Sequence, residues 1–223
     1  MIFKNSQDDW EINLPNSVKD IGIKISGGAD SAIVCYMLAK YVMEERPDIT
    51  IHPLTAIAQT KPFQQIFADK VLRKVEELTG IEFAQHQYKM IRSDTIENYI
   101  SDQEEYFDSL DHLYQERFAG LTANPEPDEA PELFDGDNRT PGSYGELDID
   151  RSKGATKKDN TTRPLFNVDK KGVAEHYTTL DVLEEIFPIT RSCEQNNVYT
   201  FEEHCGDCWF CRERKWGFGG RLV

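Results

Sequence analysis

Six consecutive residues combine glycines, hydroxyls and a carboxylate at one corner of the chain. Ser26–Ser31 read SGGADS and follow the apolar stretch Val18–Ile25, where a strand is expected to pass into a helix. The two glycines let backbone N–H groups converge, the two serine hydroxyls donate hydrogen bonds, and a helix N-terminus favours negative charge. Asp30, in the first turn of that helix, offers a carboxylate to Mg²⁺. This corner is therefore predicted to hold an anionic ligand.

Four cysteines crowded in the last part of the sequence form a second set of reactive groups. Their spacing is C-x11-C-x2-C-x2-C, and four thiolates so close in sequence can surround one tetrahedral ion. A C-x2-C-x2-C run also opens bacterial iron–sulfur motifs, but here the fourth cysteine lies upstream and no Cys-Pro pair follows. Zinc is therefore favoured. The predicted ligands are Cys193, Cys205, Cys208 and Cys211, and the basic residues expected to offset their charge are Arg191, Arg212, Arg214 and Lys215. The fifth cysteine, Cys35, lies among apolar residues and is predicted to fill the core.

Composition narrows the class of protein. The 223 residues carry 40 acidic and 25 basic side chains, a net charge of −15, which argues against a general nucleic-acid binder. No run of about 18 apolar residues is present, so no membrane span is expected. The first residues lack the basic and apolar regions of a signal peptide. Crowded cysteines without a disulfide pattern fit a reducing compartment, so a cytoplasmic location is expected.

Strand-like and helix-like patterns alternate over the first 123 residues. Strands are predicted at 18–25, 49–58, 81–91 and 117–123, and helices at 29–43, 62–79 and about 95–116. Pro53 is expected to interrupt the second strand. Such alternation predicts a parallel α/β sheet. After Pro164 a helix resumes and a short one follows at 181–187, which leads to a division into an α/β domain, 1–189, and a cysteine module, 190–223.

Residues 124–163 interrupt this alternation. Nine acids and one base fall between 124 and 150, whereas seven bases and two acids fall between 151 and 171. A stretch of about 40 residues without periodicity is usually a functional lid or is disordered. Two interpretations stay open, a solvated loop and a lid whose basic half closes over a bound polyanion.

The two motifs together resemble one family. Ser26–Ser31 match S-G-G-x-D-S at all its fixed positions; this is the PP-loop of ATP pyrophosphatases, which have a Rossmann-like fold (adenine nucleotide alpha hydrolase-like) and cut ATP between its α and β phosphates. The stretches PLFNVDKK, TRSC and CGDCWFCRER, which begin at Pro164, Thr190 and Cys205, are similar to the C-terminal part of 7-cyano-7-deazaguanine (preQ0) synthases. The resemblance implies an α/β, Rossmann-like parallel sheet followed by a small zinc module with four cysteine ligands.

The resemblance also implies a ligase activity. A carboxylate, 7-carboxy-7-deazaguanine in the family, attacks the α-phosphorus of ATP and pyrophosphate leaves. Ammonia then displaces AMP, and a second ATP drives dehydration of the amide to a nitrile, a step of queuosine biosynthesis. Implied cofactors are ATP with Mg²⁺ and one Zn²⁺ per chain, and a homodimer stays open. The implied catalytic residues are Asp30, Ser31 and Lys170, and the implied nucleotide-binding residues are Ser26, Gly27, Gly28, Ala29, Asp30, Ser31, Ala56 and Gln59.

The middle of the chain departs from the family. The family follows its second strand with a Tyr-Gly-Gln-Arg/Lys-His stretch, whereas this sequence has IAQTKPF, which keeps Gln59 but no histidine. The segment that helps to form the base pocket in the family is replaced by the stretch at 124–163. Three alternatives therefore stay open. They are a PP-loop enzyme that stops at the amide or conjugates the activated base, a tRNA-thiolating PP-loop enzyme, and a non-catalytic nucleotide-binding protein.

Overall fold

The computed structural model describes residues 1–134, 156–158, 160–193 and 203–222. Its strands are β1 Ile2–Phe3, β2 Trp10–Glu11, β3 Asp20–Lys24, β4 Thr50–Ala58, β5 Gln87–Ile91, β6 Glu116–Ala119, β7 Thr156–Lys158 and β8 Thr161–Arg163. Its helices are α1 Ala29–Glu45, α2 Gln64–Thr79, α3 Ile96–Ser109, α4 Pro131–Phe134, α5 Lys170–Thr179, α6 Leu183–Ile186 and α7 Trp209–Gly217, with 3₁₀ turns at Asp111–Leu113 and Phe187–Ile189. In the described helices no segment is long and apolar enough to cross a membrane.

A six-stranded sheet in the order β5-β4-β3-β6-β8-β7 forms the centre of the fold. The first five strands in this order run parallel, and β7 pairs antiparallel with β8. The α/β, Rossmann-like class expected from the alternation of elements is confirmed. From β3 the chain builds outward through β4 and β5, then returns to β6 on the other side of β3. Ligands of open α/β sheets bind where the strand order reverses in this way, at the carboxyl ends of the strands.

The two faces of β3 pack against different helices. Its isoleucines Ile21 and Ile23 are fully buried in the main core, which they share with α1, α2 and α5. The opposite face is covered by α3 and the turn after it, where Phe107 and Tyr114 form a second cluster with Leu54 of β4. Both faces of β3 are therefore covered, with Ile21 and Ile23 in the main core and Gly22 against Tyr114 and Leu54 of the second cluster.

Pro53 does not interrupt β4, contrary to expectation. The strand runs unbroken from Thr50 to Ala58, with Pro53 in register with Ile23 of β3. The Leu54 carbonyl accepts a hydrogen bond from the Ile25 N–H of the neighbouring segment, so the backbone of Pro53 faces the opposite side. On that side β5 begins only at Gln87, level with Leu54. The missing N–H of the proline therefore costs no ladder hydrogen bond.

Part of the stretch 124–163 is regular, which its composition did not predict. Helix α4 forms at Pro131–Phe134, and β8 extends the main sheet beside β6. Elements of three or four residues are too short to produce a recognisable period in sequence. Residues 135–155 and 159, which make up much of the predicted lid, lie outside the described residues.

Candidate active site and metal centre

The turn between β3 and α1 needs glycine at one position for steric reasons. Gly27 has a φ of +80°, and a Cβ there would lie 2.4 Å from Cβ of Phe67 and 2.8 Å from the Ala68 nitrogen on α2. Gly28 is the N-cap of α1 and has an extended backbone with no side-chain cap. The first N–H groups of α1 are therefore not covered by a capping side chain, and they carry the positive end of the helix.

Two serine hydroxyls close the turn. Ser26 Oγ and Ser31 Oγ lie 3.2 Å apart, and Ser31 Oγ donates to the Gly28 carbonyl at 3.1 Å. Ser26 Oγ also accepts from the Gly28 N–H at 3.3 Å. From α5, the Tyr177 hydroxyl donates to the carbonyl of Ala29 at 2.8 Å, which holds the first turn of α1 against the core. These contacts preform the turn and leave its outer side facing a cavity.

That cavity has a volume of about 300 Å³ and lies at the carboxyl ends of β3 and β6. Segments distant in sequence form its walls: the SGGADS corner, the end of β4 and start of α2, the segment after β6, the start of α5, and the cysteine region. Its lining includes Ser26, Gly28, Asp30, Lys61, Phe63, Gln64, Gly120, Leu121, Thr122, Asn124, Lys170, Arg191, Ser192, Cys193, Phe210 and Glu213. The two motifs found in the sequence therefore meet at one site.

Lys170 connects the two motifs through its ammonium group. Its side chain is only 5% exposed, and Nζ forms an ion pair with Oδ2 of Asp30 and lies 3.6 Å from Oε2 of Glu213 on α7. The Thr122 hydroxyl lies 3.2 Å from the same Nζ. Burial alone lowers the pKa of Lys170, but the two carboxylates outweigh it and raise the pKa above its ordinary value. Lys170 is therefore a cation at neutral pH.

The N-terminal segment helps to hold Lys170 in place. Asp169 caps α5 by accepting from the N–H groups of Lys171 and Gly172 at 2.8 and 3.2 Å. The Gln7 side-chain amide then makes two hydrogen bonds with Asp169, donating from Nε2 to Oδ1 at 2.7 Å and accepting at Oε1 from the backbone N–H at 2.9 Å. Asp169 is fully buried and caps the first turn, so its carboxylate fixes where α5 begins and where Lys170 lies.

Arg191 links the wall formed by the cysteine region to the SGGADS corner. Its backbone N–H donates to the Gly27 carbonyl at 2.8 Å, and its guanidinium lies 4.5 Å from the centre of the Phe63 ring. Its Nη1 donates to the Glu203 carbonyl at 2.6 Å. The guanidinium is therefore held by an aromatic ring on one side and by the cysteine region on the other.

Arg214 has a structural role in addition to the expected interaction with the cysteines, since the charge of Cys211 favours its cationic form. Its guanidinium is fully buried and donates to the carbonyls of Phe187 and Leu222 and to the Thr190 hydroxyl, all between 2.7 and 2.8 Å. It also donates to Ser192 Oγ at 3.2 Å, directly before the first cysteine. Burial lowers the pKa of Arg214 to about 10, so it stays charged at neutral pH. Sequence spacing alone does not distinguish such an anchor from a surface cation.

The four predicted cysteine ligands converge on one point. The sulfur atoms of Cys193, Cys205, Cys208 and Cys211 all lie within 4.8 Å of one another. A hydrogen bond with Cys208, followed by burial, raises the pKa of the Cys211 thiol well above its ordinary range. Four sulfurs at this spacing suit a tetrahedral thiolate site, and a bound cation would compensate the charge that burial disfavours. The donor set therefore fits a metal ion.

Five of the predicted nucleotide-binding residues are not part of the lining of this cavity: Gly27, Ala29 and Ser31 of the SGGADS corner itself, and Ala56 and Gln59. Gln59 is exposed after β4, where its backbone N–H donates to the Ile91 carbonyl, and its side chain is not part of the cavity lining. Gln64 lines the cavity instead, with its Oε1 accepting from the Ala58 N–H at 2.8 Å. Ala56 lines a smaller neighbouring cavity. The nucleotide-binding roles of Gln59 and Ala56 stay predictions.

Several residues of the site were not predicted as site residues from the sequence, and three of them carry charge or a hydroxyl beside Lys170 or the SGGADS corner. Arg191 was noted only as a neighbour of the cysteines, while Thr122 and Glu213 were not singled out. Thr122 follows β6 by three positions, and the carboxyl ends of parallel strands are where sites form in such sheets, which is a usable signal. Glu213 lies two positions after a cysteine on α7, and only the packing of α7 against α5 brings it to Lys170.

Comparisons with known proteins place no family name on this chain. No family model matches the sequence, and no curated protein matches it. Among solved structures, the U34-tRNA thiolase NcsA from Methanococcus maripaludis with its 4Fe-4S cluster is similar, at 14% identity and a TM-score of 0.46. The match covers 92% of this chain and 72% of that one. A likeness at this level carries no argument about function. The fold and the site by themselves define an α/β protein with a glycine- and serine-containing turn at a helix N-terminus beside a four-cysteine cluster.

Proposed function

We propose that this chain is a PP-loop ATP pyrophosphatase that activates a carboxylate by adenylation and passes the acyl group to ammonia. The observation that carries the proposal is that Lys170 and Asp30 meet beside the SGGADS corner on one cavity. Binding a triphosphate takes backbone N–H groups, hydroxyls and a cation on the same side of a pocket. All three kinds of group line this cavity.

Each of these groups would act on the pyrophosphate as it leaves ATP. The first-turn N–H groups of α1 and the hydroxyl of Ser26 would donate to its oxygens, while Lys170 and Arg191 would offset its charge. Ser31, whose hydroxyl donates to the Gly28 carbonyl, would hold the turn in shape. Because these groups are held in place before the reaction, they stabilise developing charge without reorganising. Preorganised donors of this kind are worth about 3–4 kcal/mol each in comparable sites.

Asp30 suits the magnesium ion that accompanies ATP. Its Oδ1 is buried and has no hydrogen-bond partner in the described part of the chain, whereas Oδ2 pairs with Lys170. An unused carboxylate oxygen in the first turn of α1 is a suitable ligand for a hard cation. Mg²⁺, when bound, would neutralise part of the charge on the phosphate oxygens.

The reaction itself follows from leaving-group chemistry. A carboxylate oxygen attacks the α-phosphorus, the bond to the bridging oxygen breaks, and pyrophosphate leaves with both electrons. Ammonia then adds to the acyl carbon, loses a proton, and AMP leaves to give an amide. In the family that the sequence resembles, the acid is 7-carboxy-7-deazaguanine and a second adenylation dehydrates the amide to the nitrile. We propose the same acid here, in the cytoplasm, with the amide and the nitrile as the two candidate end products.

The four cysteines are proposed to hold one structural zinc ion. Cys193 lines the cavity, while Cys208 caps α7 and Cys211 lies in its first turn, on the helix that carries Glu213. A metal at this point would fix the wall opposite the SGGADS corner. Tetrahedral sites with four thiolates and no open position are structural rather than catalytic.

Product analysis tests the proposal. Purified protein is incubated with ATP, Mg²⁺, ammonium chloride and 7-carboxy-7-deazaguanine, and nucleotides and deazaguanine products are identified by mass spectrometry. We expect AMP and pyrophosphate in step with loss of the acid, and the product mass distinguishes the amide from the nitrile. The Asp30→Asn variant serves as the inactive control. Formation of ADP and phosphate, or no acid-dependent AMP, would contradict the proposal.

A further inference from the structure

A second cavity of about 150 Å³ lies next to the larger one. The two cavities share the lining residues Ser26, Gln64, Gly120 and Leu121, so they adjoin at the SGGADS corner. The smaller cavity lies on the α3 side of the sheet. Its remaining walls are Lys24, Ile25, Ser31, Leu54, Ala56, Tyr99, Gln103, Phe107 and Ala119. None of the chemistry described above uses its aromatic and amide side chains.

Lys24 is the unusual residue of this cavity. It ends β3, two residues before Ser26, and its Nζ lies 4.3 Å from the centre of the Phe107 ring. Its ammonium makes no ion pair with any carboxylate of the described residues. Burial first, and then the nearby cations of Arg117 and Arg163, lower the pKa of Lys24 to about 8, against smaller opposing effects of neighbouring carboxylates. Within the described residues, the Lys24 cation is therefore compensated only by the more distant carboxylates of Asp108 and Glu104, without a direct ion pair.

We propose that the smaller cavity binds the acid to be activated, a planar aromatic carboxylate, and that Lys24 pairs with its carboxylate group. This inference rests on the proposed function and adds where the acid binds. The carboxylate would supply the direct ion pair that Lys24 does not make with the described residues. Phe107 and Tyr99 supply aromatic rings to the wall of the cavity, with Lys24 over the Phe107 ring. The Gln103 amide donates to the Tyr99 hydroxyl at 2.9 Å, and its oxygen would accept a hydrogen bond from the ligand. An acid in this cavity and a triphosphate in the larger one meet at Ser26 and Gly120.

The nucleobase of ATP is the competing occupant of the smaller cavity. A purine base is uncharged at neutral pH, so it does not relieve the repulsion among Lys24, Arg117 and Arg163. A carboxylate does relieve it, and charge-assisted hydrogen bonds are about twice as strong as neutral ones. The charge of the cavity therefore favours the acid.

Binding measured without ATP tests this inference. Calorimetric titrations compare 7-carboxy-7-deazaguanine with its uncharged 7-carboxamide on wild type, Lys24→Met, Lys24→Arg and Lys89→Met. Lys89 is a matched control because its Nζ also faces an aromatic ring, that of Tyr106 at 6.0 Å, outside both cavities. We expect Lys24→Met to weaken binding of the acid by about 10- to 100-fold and to leave binding of the carboxamide unchanged. Lys24→Arg should keep most of the affinity, and Lys89→Met all of it.

Three results would overturn the inference: wild type that does not bind the acid, Lys24→Met that binds it as tightly as wild type, or Lys24→Met that weakens ATP binding instead. Thermal melts of each variant show whether it is folded. Failure of the proposed function looks different. If the acid binds through Lys24 but no acid-dependent AMP forms, this inference holds and the adenylation reaction is wrong. If AMP forms but Lys24→Met binds the acid as tightly as wild type, the adenylation reaction holds and this inference is wrong.

Discussion

The two walls of the larger cavity are built in different ways. One wall is the SGGADS corner, six consecutive residues whose conformation follows from Gly27, two serine hydroxyls and the start of α1. The opposite wall joins Arg191, Cys193 and Glu213, which reach the cavity from the segment before the cysteines and from α7. The first wall depends on local sequence, while the second depends on a sulfur cluster and on long-range packing.

Substitutions in the two walls are therefore expected to affect activity and stability differently. Damage to the SGGADS corner should remove chemistry and leave the fold, because the corner lies on a strand and a helix that the main core already stabilises. Damage to the cysteine wall should remove both, since α7 contacts α5 and its neighbour Phe218 stacks on Phe187 at 4.0 Å in that same core. Lys170 lies between the walls and interacts with one carboxylate from each.

The largest effect is expected from Cys208→Ser. Structural zinc in small cysteine-rich modules contributes about 10–16 kcal/mol of apparent binding energy at neutral pH, and a three-thiolate site loses much of it. We expect insoluble or protease-sensitive protein. Cys35→Ala is the matched control, because Cys35 is buried in α1 away from the cluster, and it should keep the metal. Elemental analysis of wild type should give one zinc per chain, and iron with sulfide in comparable amounts would refute zinc.

Asp30→Ala should reduce AMP formation by about 1,000-fold or more and leave the protein folded, because the lost group is a proposed Mg²⁺ ligand in a preorganised site. The first-turn position of Asp30 contributes only about 0.3–1 kcal/mol to helix stability. Because Asp30→Ala also removes one of the two carboxylate partners of the buried Lys170, we expect a further loss of up to about 3–5 kcal/mol, with Glu213 left as the remaining partner. Glu97→Ala, which removes the first-turn acid of α3, provides the control for that helix effect. The test is pyrophosphate release together with chemical unfolding. A variant that retains activity would show that the corner does not work through Asp30.

Lys170→Met should destabilise the chain by about 3–5 kcal/mol, because it leaves Asp30 and Glu213 buried near each other without their cation. The loss should be smaller at pH 5 than at pH 8, since a carboxylate without its cation takes up a proton more readily. In wild type the raised pKa of Lys170 means that its stabilisation is present at neutral pH and is lost only as pH rises above about 10.5. Urea unfolding across pH measures both effects, with the exposed neighbour substitution Lys171→Met as control. Equal stability of Lys170→Met and Lys171→Met would show that the buried ion pairs are absent.

The smallest effect is a gain of stability in Lys24→Met. The pKa of Lys24 is lowered in the folded chain to about 8. At pH 7 its side chain is still protonated, and the protonated form is less favourable in the folded chain than in the unfolded one. Removing the amine should stabilise the chain by about 1–2 kcal/mol at pH 7. Wild-type stability should itself rise between pH 8 and about 10.5, where the unfolded chain still binds the proton that the folded chain has lost. Urea unfolding that shows Lys24→Met to be less stable than Lys89→Met at pH 7 would contradict this.

The sequence by itself determined the features that depend on neighbouring residues. The alternation of apolar strands and amphipathic helices predicted the α/β sheet, and the predicted helix 62–79 ends where α2 ends, before a left-handed cap at Gly80. The SGGADS corner and the cysteine spacing were visible because each packs its chemistry into a short segment. The prediction for Pro53 was wrong because its tolerance depends on where β5 begins, and that is a property of the sheet.

Only the tertiary structure decided which distant groups meet. Lys170 reaches Asp30 across 140 positions, and Glu213 reaches Lys170 through the contact of α7 with α5. The tertiary structure also places Gln64, rather than the predicted Gln59, at the cavity. It leaves Lys24 without an ion pair to any carboxylate of the described residues. Such contacts have no local signature, since the pattern of a helix predicts that one of its faces is buried but not which charged residue it will face. The physical reason is that local patterns are set by each segment's own backbone, whereas the charge around a buried side chain is set by every segment packed against it.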